Sequence, residues 1–190
     1  MDARTIQAHA IHLDDAELKL IADSGAKIAH CSGSNTWLNS GVMSLTHYLD
    51  RGLPLGLGSD ISGGSDIAMM MVGRQARESA KNYAALARRW ESPSAARPAR
   101  LLSPSEALYL QTLGGADCLG IAHETGSFEV GKFFNAIRVD FSRANLQFIS
   151  DGDPEANFQR FDLAGDSRNI EAVYVNGQSL ALDPFGLGEG

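Results

Sequence analysis

Three times in its first 72 residues the chain runs through a short apolar piece and stops at a polar or glycine-rich rim, and a helical pattern usually follows. Thr5–Ala8 ends at His9, Ala26–Ala29 ends at His30, and Leu53–Leu57 ends at Asp60. After the first piece, LDDAELKLIADSG reads as a helix. Asp14 can cap it, Asp15 and Glu17 suit its first turn, Leu18 and Ile21 recur on one face, and Gly25 sits at the stop. The loop CSGSNTWLNSG and a short helix, VMSLTHYLDRG, follow the second piece. Beyond the third, a helix is expected from near Ser65 through IAMMMVGRQARESAKNYAALARRW. Strands that alternate with helices imply βαβ units and parallel pairing. Such folds bind ligands at the carboxyl ends of their strands. If these units belong to a (β/α)8 barrel, His9, His30 and Asp60 share its functional rim.

The rest of the chain changes character. Residues 91–100, ESPSAARPAR, break the helical pattern with two prolines and read as a loop. LLSPSEALYLQTLGGADCLGI then reads as a helix: Ser103 is the N-cap, Pro104 takes the first helical position, and Glu106 completes a capping box. Gly114 and Gly115 interrupt or end it. From about His123 strands dominate. GSFEVGKFFNAIRVDF holds a glycine-flanked turn and an alternating strand, Ala136–Val139. ANLQFISDGDPEANFQ reads as a mobile or irregular patch. EAVYVNGQSLAL is the last strand, with a hairpin-like Asn176–Gly177 at its centre. The tail DPFGLGEG is expected to fray. The expected division is an α/β unit over residues 1–122 and a separate β layer over residues 123–190.

Composition removes several classes of function. The chain is 44% hydrophobic and 21% charged, which is ordinary for a globular protein. Its net charge of −7 is the opposite of a nucleic-acid binder's basic footprint. Cys31 and Cys118 have neither metal-ligand spacing nor the density of a disulfide scaffold. No apolar run reaches about 18 residues, so no transmembrane helix is expected. The start, MDARTIQAHAIHLDDAEL, lacks the basic-then-apolar layout of a signal peptide, and a cytoplasmic location is expected.

The chemistry-bearing residues gather at the three rims. At the tip of a parallel strand, the Asp60 carboxylate can hold a divalent metal, accept a proton from metal-bound water, or simply cap a turn. Gly58, Gly63 and Gly64 around it permit close backbone approach. His9 can be a metal ligand, a general acid or base, or a hydrogen-bonded structural histidine. His12, just outside the strand, is a weaker candidate. His30, followed by Cys31 and the polar set Ser32, Ser34 and Asn35, is a rim residue, a supporting partner or a structural histidine. His47 and His123 read as exposed or structural, and Cys31 as a packed thiol. Met69, Met70 and Met71 are consecutive and cannot share one helix face. Arg74, Arg77, Arg88 and Arg89 read as a solvated helix face rather than an anion site.

The segments AHAIHLDDAEL, GAKIAHCSGSN and LGLGSDISGG, in that order, resemble the amidohydrolase superfamily, in its aminohydrolase and chlorohydrolase branch. TLGGADCLGI, GSFEVGKFFNAI and above all LAGDSRNIEAVYVNGQ are similar to the C-terminal region of guanine deaminases. The resemblance covers nearly the whole chain. It implies the C-terminal part of a (β/α)8, TIM-like metal-dependent hydrolase barrel, about three βα units over residues 1–122. Strands of a small β-sandwich domain would occupy residues 123–190. It implies zinc, guanine or a similar purine as substrate, hydrolysis to xanthine and ammonia, and a homodimer. Asp60 matches the family's zinc-binding, proton-accepting aspartate after the eighth strand. His9 matches the histidine after the sixth strand, beside the metal-bound water and the substrate. His30 matches the histidine of the HC-P-x-SN segment, with a supporting role.

Two local departures stand out. Ser32 and Gly33 lie where that segment usually has its proline, and GKFFNAI lacks an acidic residue common near Asn135. The larger departure is the absence of the family's first-strand His-x-His pair, its fifth-strand histidine and its proton-shuttling glutamate. The expectation is therefore the C-terminal half of an enzyme, with the isolated fragment inactive. The alternatives are a related hydrolase acting on another purine, a pterin or a triazine, and a non-catalytic remnant.

Overall fold

The computed structural model describes residues 1–89, 99–143, 146 and 152–180. Contacts divide the chain into two compact units, Met1–Ala122 and His123–Gly190.

Three short strands organise the first unit: β1 (Ile6–Ala8), β2 (Lys27–His30) and β3 (Leu55–Leu57). They pair in parallel in the order β1-β2-β3, with Ile6 opposite Lys27 and Ile28 opposite Leu55. β2 lies between its neighbours and buries Ile28 and His30, whereas β1 is exposed along its length.

Helix α1 (Asp15–Ser24) joins β1 to β2, and its own sequence closes both ends. The Glu17 N–H donates to Asp14 Oδ1 at 2.8 Å and the Asp14 N–H to Glu17 Oε2 at 2.8 Å, which completes a capping box. Gly25 ends the helix in the left-handed region at φ 69°. Leu18 and Ile21 point inward and pack with Ile28, Tyr48, Leu53 and Leu55 in one core.

Two helices, α2 (Ser32–Trp37) and α3 (Leu45–Asp50), connect β2 to β3. The loop expected at CSGSNTWLNSG therefore contains a helix. Its buried residues are Ser32, Ser34 and Asn35, so no apolar periodicity announces it. It packs against α4 (Met69–Ala87), which follows β3. That helix starts four residues later than Ser65, because the Asp66 carboxylate first accepts from the Ala68 N–H in a local turn.

The single helix expected over 101–121 is two helices, α5 (Pro104–Gln111) and α6 (Leu113–Cys118). Ser103 and Glu106 form the expected capping box at the start of α5. The break falls at Thr112 (φ −118°, ψ −96°), not at the glycines. Gly114 and Gly115 serve another purpose, the close approach of α6 to β3. A Cβ on Gly56 would lie 3.0 Å from the Gly115 Cα, and one on Gly114 would lie 3.0 Å from the Leu55 carbonyl oxygen.

The second unit has an antiparallel sheet of β4 (Ala136–Val139), β5 (Ile170–Val175) and β6 (Gln178–Leu180), in that order. The β5–β6 hairpin turns at Asn176 and Gly177 with φ 51° and 80°, the positive pair that an Asn-Gly turn supplies. Within the patch expected to be irregular, helix α7 (Pro154–Ala164) forms. Asp153 caps it, its Oδ1 accepting from the Glu155 N–H at 3.0 Å, and Pro154 takes the first turn. The Gly and Pro of SDGDPEANFQ read as punctuation, whereas the proline sits where helices tolerate it. Residues 144–145 and 147–151 of that patch, residues 91–98 of the expected loop and the tail 183–190 lie outside the described residues.

The close seating of α6 on β3 is testable. Gly56→Val places side-chain atoms against the Gly115 backbone and should lower stability by about 1–3 kcal/mol. A drop in the urea midpoint without a change in its slope is the expected reading.

Candidate active site

The hydrogen-bond ladder of the parallel sheet runs past the strand ends. The His9 N–H donates to the Ala29 carbonyl at 2.9 Å, and the Gly58 N–H donates to the His30 carbonyl at 3.0 Å. His9, His30 and the segment leading to Asp60 therefore lie side by side at the carboxyl end of the sheet. The His9 Nε2 is 4.0 Å from Asp60 Oδ2, with the two side chains 42% and 37% exposed. That is too long for a direct hydrogen bond. On its other side, the His9 ring is tied through Nδ1 to Asn35 Oδ1 at 2.8 Å.

The backbone here is unusual. Among the described residues, six non-glycine positions have positive φ, and four of them are His9 (65°), Ala10 (52°), Asp60 (47°) and Ser62 (86°). Such conformations cost of order 1–3 kcal/mol each and persist only where the surroundings enforce them. At His9–Ala10 the Tyr48 hydroxyl, buried beneath, donates to the Ala10 carbonyl at 3.1 Å. At Asp60 the N–H groups of Gly63 and Gly64 both donate to the Asp60 carbonyl. A Cβ on Gly63 would lie 2.8 Å from Asp60 Oδ2, and one on Gly64 would strike the Ser59 carbonyl. The two glycines thus allow the turn that aims the carboxylate.

His30 is at the same edge but inside the protein, 1% exposed. Neither ring nitrogen has a hydrogen-bond partner among the described residues. Burial, followed by the neighbouring His9, lowers its pKa to about 4. Cys31 is buried too, and burial, then the Asp60 charge, pushes its thiol upward, away from the thiolate a nucleophile needs.

The remaining candidates separate from this cluster. His12 Nε2 lies 2.8 Å from the Ser40 carbonyl and ties down a loop. His47 is buried in α3, not exposed. His123 is exposed beside Glu124. Arg88 and Arg89 are exposed, while Arg74 and Arg77 are half-buried. Arg77 donates to the Leu102 carbonyl at 3.4 Å. Sequence reading placed Asn35 in a polar set after His30. Its contact with His9 needed the fold, because 26 residues separate the two.

The parallel β/α unit carries a histidine and an aspartate on one rim, and residues 1–180 match the Amidohydrolase family. The chain belongs to that family. It is 36% identical over 189 residues to the guanine deaminase of Mus musculus, covering 96% of this chain and 39% of that protein. It is 35% identical over 181 residues to a probable guanine deaminase of Schizosaccharomyces pombe, covering 94% of this chain and 33% of that protein. The fold is similar to that of a guanine deaminase from C. acetobutylicum with bound guanine in its active site. There the TM-score is 0.78 at 33% identity, over 93% of this chain and 39% of that one. An adenosine deaminase from Xanthomonas campestris with bound zinc gives a TM-score of 0.76 at 28% identity, over 94% and 37%. The chain thus spans between a third and two fifths of the length of these relatives.

The buried His30 makes stability depend on pH. Folded, it stays neutral down to about pH 4, whereas unfolded it takes up a proton near its ordinary 6.5. Between these values the unfolded chain binds more protons, so stability rises with pH. Its share is fully present above pH 6.5 and is lost as pH falls toward 4, on the order of 3 kcal/mol at most. His30→Gln should flatten this window, seen as a smaller difference between urea midpoints at pH 7 and pH 4.5 than in the wild type.

Proposed function

We propose that this chain supplies part of the active site of a zinc-dependent guanine deaminase, which hydrolyses guanine to xanthine and ammonia. One observation carries the reading: His9 Nε2 and Asp60 Oδ2 face each other at 4.0 Å on the carboxyl rim of a parallel sheet. The likeness to guanine deaminases over more than nine tenths of the chain supports it. In this reading β1–β3 with their helices are the last three units of a (β/α)8 barrel, and β4–β6 belong to a small β-sandwich domain.

The donor set fits one edge of a zinc site and not a whole one. Among the described residues, no three His, Cys, Asp or Glu side chains gather where a metal could be held. Zinc sites use three or four protein ligands. Asp60 would be one of them, and the others would come from beyond the described residues. Bound zinc would supply an acidified water, with a pKa lowered to about 7.

The chain's own residues then have defined tasks. The Asp60 carboxylate orients the water and accepts one of its protons as the oxygen attacks the purine carbon that bears the exocyclic amine. A C–O bond forms, and the C–N bond breaks as the proton accepted by Asp60 passes to the leaving nitrogen and ammonia departs, the water's other hydrogen staying with the purine product. His9, 4.0 Å from the carboxylate, stabilises charge on the reacting oxygen. The strained turns at His9–Ala10 and Asp60 fix both side chains before substrate arrives.

The test compares the 190-residue chain with one extended upstream to complete the barrel. Only the extended chain should hold about one zinc and release ammonia from guanine. Activity and zinc in the short chain alone would overturn this account of the site. In the extended chain, Asp60→Asn should lower kcat by about 100- to 10,000-fold while the fold, followed by circular dichroism, stays intact.

A further inference from the structure

We infer that Asn35 is a positioning residue that selects the protonation pattern of the His9 ring, an inference that rests on the deaminase reading for its catalytic consequence. Asn35 is 2% exposed and sits in α2, an element distinct from the strand that carries His9. Its backbone is anchored at both ends: its N–H donates to the Cys31 carbonyl at 3.0 Å, and its carbonyl accepts from the Ser40 N–H at 2.8 Å. The side-chain oxygen lies 2.8 Å from His9 Nδ1, and the amide nitrogen is buried with no hydrogen-bond partner among the described residues.

An amide oxygen only accepts hydrogen bonds. With that oxygen toward the ring, the proton lies on His9 Nδ1, and in the neutral ring Nε2 is then left with a lone pair. That lone pair faces the Asp60 carboxylate, another acceptor, at 4.0 Å. Two acceptors at that span match one oxygen atom bound to both by hydrogen bonds of about 2.8 Å that open at about a right angle. A water so held gives one O–H to Asp60 and the other to His9, and its lone pairs are directed away from both. His9 thus begins as an acceptor and donates only after it has taken a proton. The opposite tautomer, with Nε2 protonated, would make His9 a donor from the outset and would leave the Asn35 oxygen opposed to a lone pair.

The assignment is read directly from ring nitrogens. In the 190-residue chain labelled with 15N-histidine, at a pH well above the ordinary histidine value of about 6.5, His9 should show a protonated Nδ1 and an unprotonated Nε2. The His9→Gln variant identifies its signals. Asn35→Asp, whose carboxylate can only accept, should keep this pattern. Asn35→Leu should release the ring toward the Nε2-protonated form. In the upstream-extended chain, Asn35→Leu should lower kcat on guanine by about 10- to 100-fold and leave KM within a few fold. A wild-type His9 protonated on Nε2 would overturn the inference, as would unchanged His9 signals in Asn35→Leu. The wild-type spectrum decides the matter even if Asn35→Leu fails to fold. Absence of guanine turnover in the extended wild-type chain, with the expected ring pattern present, would refute the deaminase reading and leave the role of Asn35 in holding His9 standing.

Discussion

Parallel pairing of three short strands is the constraint on which the rest of the first unit depends. β1, β2 and β3 contribute only three or four residues each. Their register is nevertheless firm, because a slip by one residue would turn Ile28 and Leu55 out of the core and move every rim residue to the opposite face. The same register sets Ala29 beside His9 and His30 beside Gly58. Chemistry-bearing residues far apart in the chain are thereby delivered to one edge, where each strand stops. The helices serve this arrangement: α1 closes over Ile28 and Leu55, and α6 lies close enough to β3 to require glycine on both surfaces.

At that edge the structure concentrates conformations that a chain would otherwise avoid. His9, Ala10, Asp60 and Ser62 all have positive φ, and His30 is buried with no hydrogen-bond partner among the described residues. Each feature is unfavourable by itself. Together they gather at one edge of the sheet, and they persist only where the surroundings enforce them. The compensations are visible in the same few residues: the Tyr48 hydroxyl beneath Ala10, the Gly63 and Gly64 amides on Asp60, and the Asn35 amide against His9.

Local signals in the sequence proved legible where a few neighbouring residues decide the outcome. Capping boxes at Asp14–Glu17 and Ser103–Glu106, the stop at Gly25 and the Asn176–Gly177 turn all form as their residues suggest. Where long-range contact decides, the sequence was silent. The six residues of α2, Ser-Gly-Ser-Asn-Thr-Trp, carry no apolar helical period, and the helix packs against α4 with Ser32, Ser34 and Asn35 buried. Gly114 and Gly115 read as a helix end, since a glycine's local meaning is flexibility. Their actual use is to admit the backbone of β3, which no local pattern encodes.

The sequence by itself determined the alternation of strand and helix, the rim positions of His9, His30 and Asp60, and the family resemblance. These follow from periodicity, caps and motifs written in consecutive residues. Only the tertiary structure decided what each rim residue can do. It put His30 inside and neutral, left His9 and Asp60 partly exposed at 4.0 Å, and brought Asn35 across 26 residues to the other side of the His9 ring. The physical reason is that protonation and hydrogen bonding depend on burial and on partners in space, and both are set by how the strands pair and where the helices pack.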